Sequence, residues 1–237
     1  MTLEELQEKI KHGNPNLPTK IVYIPKAQKN FLLAFIKDMP PFNTCKILVM
    51  DEIRGFAPIA QIWYEIAEKP VTTYRSTPYG NKKIITFEKQ NEYYIAHFKT
   101  NYDYQGKGIG KYIYQLAQGH MDCTNFNKSY GIIAPLDDIK GVTKSGVNSD
   151  AAEHKFLELM YHALGNTIVK SQSNGKPITK FRDRWIHNQK YEKLNTEQKE
   201  FVNSMLKYER IIQYKSEQTL DAKINNNQKI IGSKLWL

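Results

Sequence analysis

Between residues 104 and 111 the chain reads Tyr-Gln-Gly-Lys-Gly-Ile-Gly-Lys, with a glycine at every second position from Gly106 to Gly110. No other stretch limits the fold as strongly, because glycines adopt φ > 0 without steric penalty and leave the main chain uncovered. Upstream lie two β-like runs, at 84–88 and 93–100. Downstream, Ile109, Ile113, Leu116, Ala117 and His120 fall on one helical face. Strand, bare turn and helix therefore follow one another. The N–H groups that open such a helix can converge on an anion, helped by the helix dipole.

The rest of the chain supplies elements to surround that unit. Leu3, Leu6 and Ile10 share a helical face, and Thr2 with Glu5 has the form of a capping box. A strand is expected at 21–24. Pro25 at a first helical position, Phe31, Leu32, Phe35 and Ile36 on one face, and Pro40-Pro41 as a stop predict a helix over 25–36. Apolar runs at 46–50 and 56–64 predict a hairpin. The polar stretch 68–83 carries the turn signal Pro78-Tyr79-Gly80-Asn81.

After the glycine turn and its helix, a short buried strand is expected at 130–134 and a long polar loop at 136–149. A helix over 151–164 follows, with Phe156, Leu157, Met160 and Leu164 spaced for burial and Gly165 as its C-cap. The tail differs. Asn195 with Gln198 starts a helix whose stripe, Phe201, Val202, Met205, Tyr208 and Ile212, must dock on the core or on a second copy of the chain, a homodimer. Two parts are expected: a domain over 1–187 and a C-terminal helical extension over 188–237.

Composition narrows the classes. The 237 residues are 41% hydrophobic and 24% charged, close to globular averages, and contain no apolar run long enough to span a bilayer. The N-terminus lacks the apolar core of a secretory signal, so a cytoplasmic protein without membrane attachment is expected. Cys45 and Cys123 lack CxxC partners and read as two buried thiols; the histidines show no metal-ligand spacing, and no metal is expected. A formal net charge of +10 favours polyanionic partners. The excess is mostly lysine and diffuse in sequence, however, with arginine only at Arg54, Arg75, Arg182, Arg184 and Arg210. That pattern reads as compositional bias rather than a nucleic-acid footprint.

Three phosphate-binding patterns compete for the glycine turn. A P-loop needs four residues between its first glycine and Gly-Lys-Ser/Thr, whereas Gly106 and Gly110 are separated by three, and Tyr112 stands where the hydroxyl residue belongs. A dinucleotide fingerprint needs G-x-G-x-x-G, and Lys111 occupies its last glycine. The remaining pattern, Gln/Arg-x-x-Gly-x-Gly/Ala, is met by Gln105, Gly108 and Gly110. Here the chain resembles the GNAT superfamily of N-acetyltransferases. A second match, Met160-Tyr161-His162-Ala163-Leu164-Gly165, is similar to that family's Leu-Tyr-x-x-Leu-Gly-Phe segment.

The resemblance covers roughly residues 20–170. It implies a mixed α+β (α/β) fold, a twisted, largely antiparallel sheet flanked by helices. It also implies acetyl-CoA as acyl donor, held by Gln105, Gly106, Lys107, Gly108, Ile109, Gly110 and Lys111. Backbone N–H groups from Phe98 to Thr100 would polarise the thioester carbonyl. Tyr161 takes the position of the family's frequent general acid, and Glu92 that of a catalytic carboxylate in some members. His97, inside the same strand, is the other candidate base. The acceptor would be an amine on a small molecule, a protein or an aminoacyl-tRNA, for which the acidic pair Asp137-Asp138 is a candidate pocket. Asn166 replaces the usual aromatic after Gly165, and 68–83 reads as an insertion. A catalytically silent member of the fold, binding acyl-CoA or a protein, is the alternative.

Overall fold

The apolar run beginning at Phe31 is a strand, not the helix that Pro25 predicts. In the computed structural model Pro25–Ala27 form only a 3-10 turn, Gln28 takes a left-handed φ of 53°, and the chain reverses into an antiparallel hairpin. The reason lies in burial: Phe31, Leu32, Leu33, Ala34 and Phe35 are all at most 2% exposed. A helix docked on one face buries a single stripe, whereas a strand covered on both faces buries every residue. At about 1.5–3 kcal/mol per fully buried large side chain, that arrangement outweighs the few tenths that separate local propensities.

The structure describes residues 1–38, 43–77, 80–124, 128–132, 139, 150–170, 177–180 and 190–234. Side chains are described for these apart from 67–91, 128, 132, 150–152, 154, 167–170, 177–180 and 220–234. The elements are α1 (Leu3–Gly13), β1 (Thr19–Ile24), β2 (Lys29–Lys37), β3 (Thr44–Met50), β4 (Ala60–Thr77), β5 (Gly80–Thr100), α2 (Ile109–Asp122), β6 (Lys128–Ile132), α3 (Asp150–Ala163), β7 (Thr167–Lys170), β8 (Pro177–Lys180) and α4 (Thr196–Lys234).

The strands form one mixed sheet in the order β1-β2-β3-β4-β5-β6-β8-β7. Among the described strands only β5 and β6 pair in parallel. On one face α1 sets Leu3 and Leu6 against Leu32, Ala34 and Met50. On the other, Phe31, Leu33, Phe35, Ile47, Ile62 and Tyr64 form a core with Ile109, Ile113, Leu116 and Ala117 of α2 and with Phe201, Val202, Met205 and Tyr208 of α4. The tail's apolar stripe thus docks on the core of the same chain. The architecture is the mixed, largely antiparallel sheet with flanking helices that the sequence predicts, with α4 as its C-terminal helix.

The stretch 68–83, which reads as an insertion, belongs to a long hairpin in which β4 runs to Thr77 and β5 starts at Gly80, and the β-like run 84–88 finds its partners in Lys69 to Thr73. Two departures have physical causes. β7 and β8 were not anticipated, being only four residues each, too short to show a period. Cys123 is exposed just past α2, so only Cys45 is a buried thiol. The loop 136–149, apart from Ile139, lies outside the described residues, and with it Asp137-Asp138.

Candidate active site

The helix α2 begins without a cap of its own. Gly108 at the N-cap has φ 82° and offers no side chain, and the first internal bond runs from Tyr112 N–H to Gly108 C=O at 3.0 Å. The N–H groups of Ile109, Gly110 and Lys111 therefore lack helical acceptors. Gly106 is also left-handed, at φ 78°. Lys26, Lys107 and Lys111 are exposed around this turn. A Cβ on Gly108 would stand 3.2 Å from Cβ of Lys26, besides forcing a strained φ on any other residue.

Two clamps hold the turn to the sheet. Gln105 spends its side chain inward, Nε2 donating to the Thr100 carbonyl at 3.1 Å. Tyr104 is buried and its hydroxyl donates to Asp51, a carboxylate with no exposure that also accepts the Arg54 backbone N–H at 2.9 Å and lies 3.7 Å from Lys29 Nζ. Burial first, and then the bond to Asp51, push the Tyr104 hydroxyl up to about 12. It stays a neutral donor at physiological pH. Lys107 Nζ sits 5.1 Å from the Tyr104 ring centroid, so the same ring also steadies a turn lysine.

Gly110 explains how close α2 approaches the strand. A Cβ there would lie 3.1 Å from Thr100 Oγ1 and 3.5 Å from Phe98 Cζ. Phe98 in turn meets Tyr114 of α2 at 5.5 Å and Tyr161 of α3 at 6.3 Å between ring centroids, and Tyr114 and Tyr161 stand edge to face at 6.1 Å. Phe98, Thr100, Gly110 and Tyr161 are thereby brought together. Among the described residues β5 pairs with β6 as far as Ile95↔Gly131, and β5 continues to Thr100 with β4 beside it. Ala96 is bulged, since His97 pairs with Trp63 and Ile95 with Tyr64. Bulges of this kind end pairing and re-aim side chains beside sites.

Burial pushes the Tyr161 hydroxyl up to about 12. Its position is set by a residue the sequence marks only as a departure: Asn166, 4% exposed, accepts from Tyr114 OH at 2.8 Å and donates Nδ2–H to the Tyr161 carbonyl at 2.8 Å. Gly165, at φ 86°, turns the chain to make that reach. An aromatic at 166 could not join the two helices in this way. An amide directly after the C-cap glycine, where an aromatic is usual, was the available signal.

The two candidate bases lie elsewhere. His97 projects from the face opposite Phe98, as alternation along a strand requires, with its Nε2 3.1 Å from Gln61 Nε2 and its ring 5.1 Å from that of Trp63. Glu92 pairs in register with Lys128, six positions and about 20 Å along β5 from Phe98. Among the described residues no group of three or more His, Cys, Asp or Glu could hold a metal ion.

No protein-family model matches the sequence, and neither does any curated protein. Solved structures do. The cAMP-binding acyltransferase from Mycobacterium smegmatis superposes with a TM-score of 0.51 at 11% identity, covering 88% of this chain. A mutant form of that acyltransferase gives the same TM-score and identity over 89%. The chain spans about 60% of the length of these proteins. The fold is GNAT-like.

Proposed function

We propose that the chain is an acyl-CoA-dependent acyltransferase, and within that class an N-acetyltransferase moving an acetyl group from acetyl-CoA directly to a primary amine. The observation that carries the reading is the open N-terminus of α2, preceded by two left-handed glycines and set close against β5 at Phe98 and Thr100. The residues present fit a diphosphate: uncovered N–H groups of Ile109, Gly110 and Lys111, with Lys26 and Lys107 nearby. Acetyl-CoA supplies an activated acyl thioester. The fold shared with acyltransferases supports the same class.

The chain's own part in the reaction is positioning and electrostatics. N–H groups between Phe98 and Thr100 are the candidates to stabilise charge on the carbonyl oxygen. Tyr161 is the candidate donor to the departing sulfur. With its hydroxyl at about 12 against a thiol near 8.5, full proton transfer is uphill by about 5 kcal/mol, so Tyr161 stays protonated and donates a hydrogen bond. The attacking amine gives its proton up to a base or solvent, and the departing thiolate takes one from solvent. His97, on the opposite face, is better placed than Glu92 to serve an amine arriving from that side. No cysteine is required.

Titration calorimetry with acetyl-CoA tests the proposal. Binding by the native chain, lost in a Gly108 variant, is expected. Absence of any affinity for CoA or acetyl-CoA removes both the enzyme and the silent acyl-CoA-binding alternative. Binding without acetyl transfer across a panel of amines, from small polyamines to peptides and aminoacyl-tRNA, favours the silent form.

A further inference from the structure

The β4–β5 hairpin continues well past the rest of the sheet. β3 last meets β4 at Thr44↔Glu65 and β6 first meets β5 at Glu92↔Lys128, yet β4 and β5 remain paired out to Thr77↔Gly80. About a dozen residues of each strand, at roughly 3.3 Å apiece, make a two-stranded arm on the order of 40 Å long. It leaves the sheet at a register shift between Ile66 and Glu68, an irregularity of the kind that bends and twists a ribbon. Among the described strands, none pairs with either edge of it.

A two-stranded ribbon is marginally stable in water, so its charges matter. At the base they are matched across rungs, Glu68 opposite Lys89 and Lys69 opposite Glu88. At the tip they are not. Arg75 stands opposite Lys82, Lys83 occupies the adjoining rung opposite Tyr74, and no carboxylate occurs between Glu68 and Glu88. A register that sets like charges opposite one another disfavours pairing, a cost that an external anion offsets. The lysine excess that is diffuse in sequence is here gathered by the fold: three cations share two neighbouring rungs.

We propose that the tip of this arm is a docking element for duplex DNA. The B-form major groove, about 12 Å wide, admits a two-stranded β-ribbon, whereas the A-form RNA groove is too deep and narrow for one. The net charge of +10 would steer the approach. A second copy of the chain is the poorer occupant, since pairing two tips would set cations against cations. The proposal stands apart from the acyl-CoA reading and survives its failure.

Fluorescence anisotropy of the full chain with a labelled DNA duplex, across a salt series, tests it. Combined Arg75→Gln, Lys82→Gln and Lys83→Gln should reduce the slope of log K against log[salt] by about 3 and weaken binding at least about tenfold at low salt. Lys9→Gln, Lys193→Gln and Lys215→Gln remove equal charge from exposed positions elsewhere and should change the slope by less than about 1. Arg75→Glu, which converts the tip rung into a matched pair like those at the base, should keep the fold and still weaken DNA binding. The proposal is overturned by equal effects of the two triple variants, by an RNA duplex bound as tightly as DNA, by no DNA binding at low salt, or by a loss of self-association in sedimentation with DNA binding intact.

Discussion

The two ends of α2 are built on opposite rules. Its C-terminal end is tied into the protein: His120 Nδ1 meets Tyr64 OH at 3.0 Å, its Nε2 lies 3.2 Å from Glu209 Oε2 of α4, and Asp122 Oδ2 accepts the Tyr191 N–H at 3.0 Å. Its N-terminal end has no side-chain cap. The chain is able to cap helices, as α1 shows with Thr2 and Glu5, and α4 with Asn195 and Gln198 bonded reciprocally. What differs is the partner. One end of α2 is satisfied from within; the other has no side-chain cap among the described residues, and the proposed function gives it an anion as partner.

Gly108→Val is the substitution that should break this contrast most completely. A β-branched residue at φ 82°, with its Cβ 3.2 Å from Lys26, displaces the turn and covers the open N–H groups. Acetyl-CoA affinity should fall at least about 100-fold, about 3 kcal/mol, by calorimetry. At the other end Glu209→Gln should leave affinity unchanged and lower stability. Burial alone would raise the Glu209 carboxyl, but His120, Lys37 and the Cys45 thiol outweigh it and hold it at about 2, against an ordinary 4.5. A group depressed in the folded state stabilises above its unfolded value and loses that contribution as pH falls through the folded one. Roughly 2 kcal/mol should therefore be present at pH 7, fade between about pH 5 and pH 2, and be absent at all pH values in the variant, as urea unfolding across that range would read.

How much of this was legible in the sequence depends on what each feature rests on. The open end of α2 was, because glycine spacing is local and the conformations it permits need no neighbours. The α1 cap and the stripe of α4 were legible for the same reason. β2 was not: the choice between strand and helix for an apolar run is made by what covers its second face, here Leu3 and Leu6 of α1, which lie some thirty residues away. The Asn166 link between α2 and α3 was seen only as a departure from a pattern, since its two partners, Tyr114 and Tyr161, converge on it through tertiary packing. The cations of the arm were counted but not located, because their proximity exists only in the β4–β5 register.

Tyr161→Phe probes the ground between the two ends, where α2 faces α3. The ring contacts with Phe98 and Tyr114 survive the change, so acetyl-CoA affinity and stability should move little. Turnover, followed by thiol release, should drop about tenfold, the worth of one transition-state hydrogen bond of roughly 1.4 kcal/mol. Unchanged turnover would leave Tyr161 as an aromatic spacer.

The smallest expected effects come from the helices that cap themselves, and they are the control on which the contrast rests. Asn195→Ala removes the side chain that accepts from the Gln198 N–H at 2.8 Å and should cost about 1 kcal/mol of stability. Thr2→Ala, at an exposed end near the terminus, should cost no more than about 1 kcal/mol, read as a shift in the urea midpoint. Neither should alter acetyl-CoA affinity, because both caps satisfy donors inside their own helices. If either variant weakened binding as Gly108→Val is expected to, helix starts throughout the fold would be acting through overall stability. The open end of α2 would then have no special claim on the ligand.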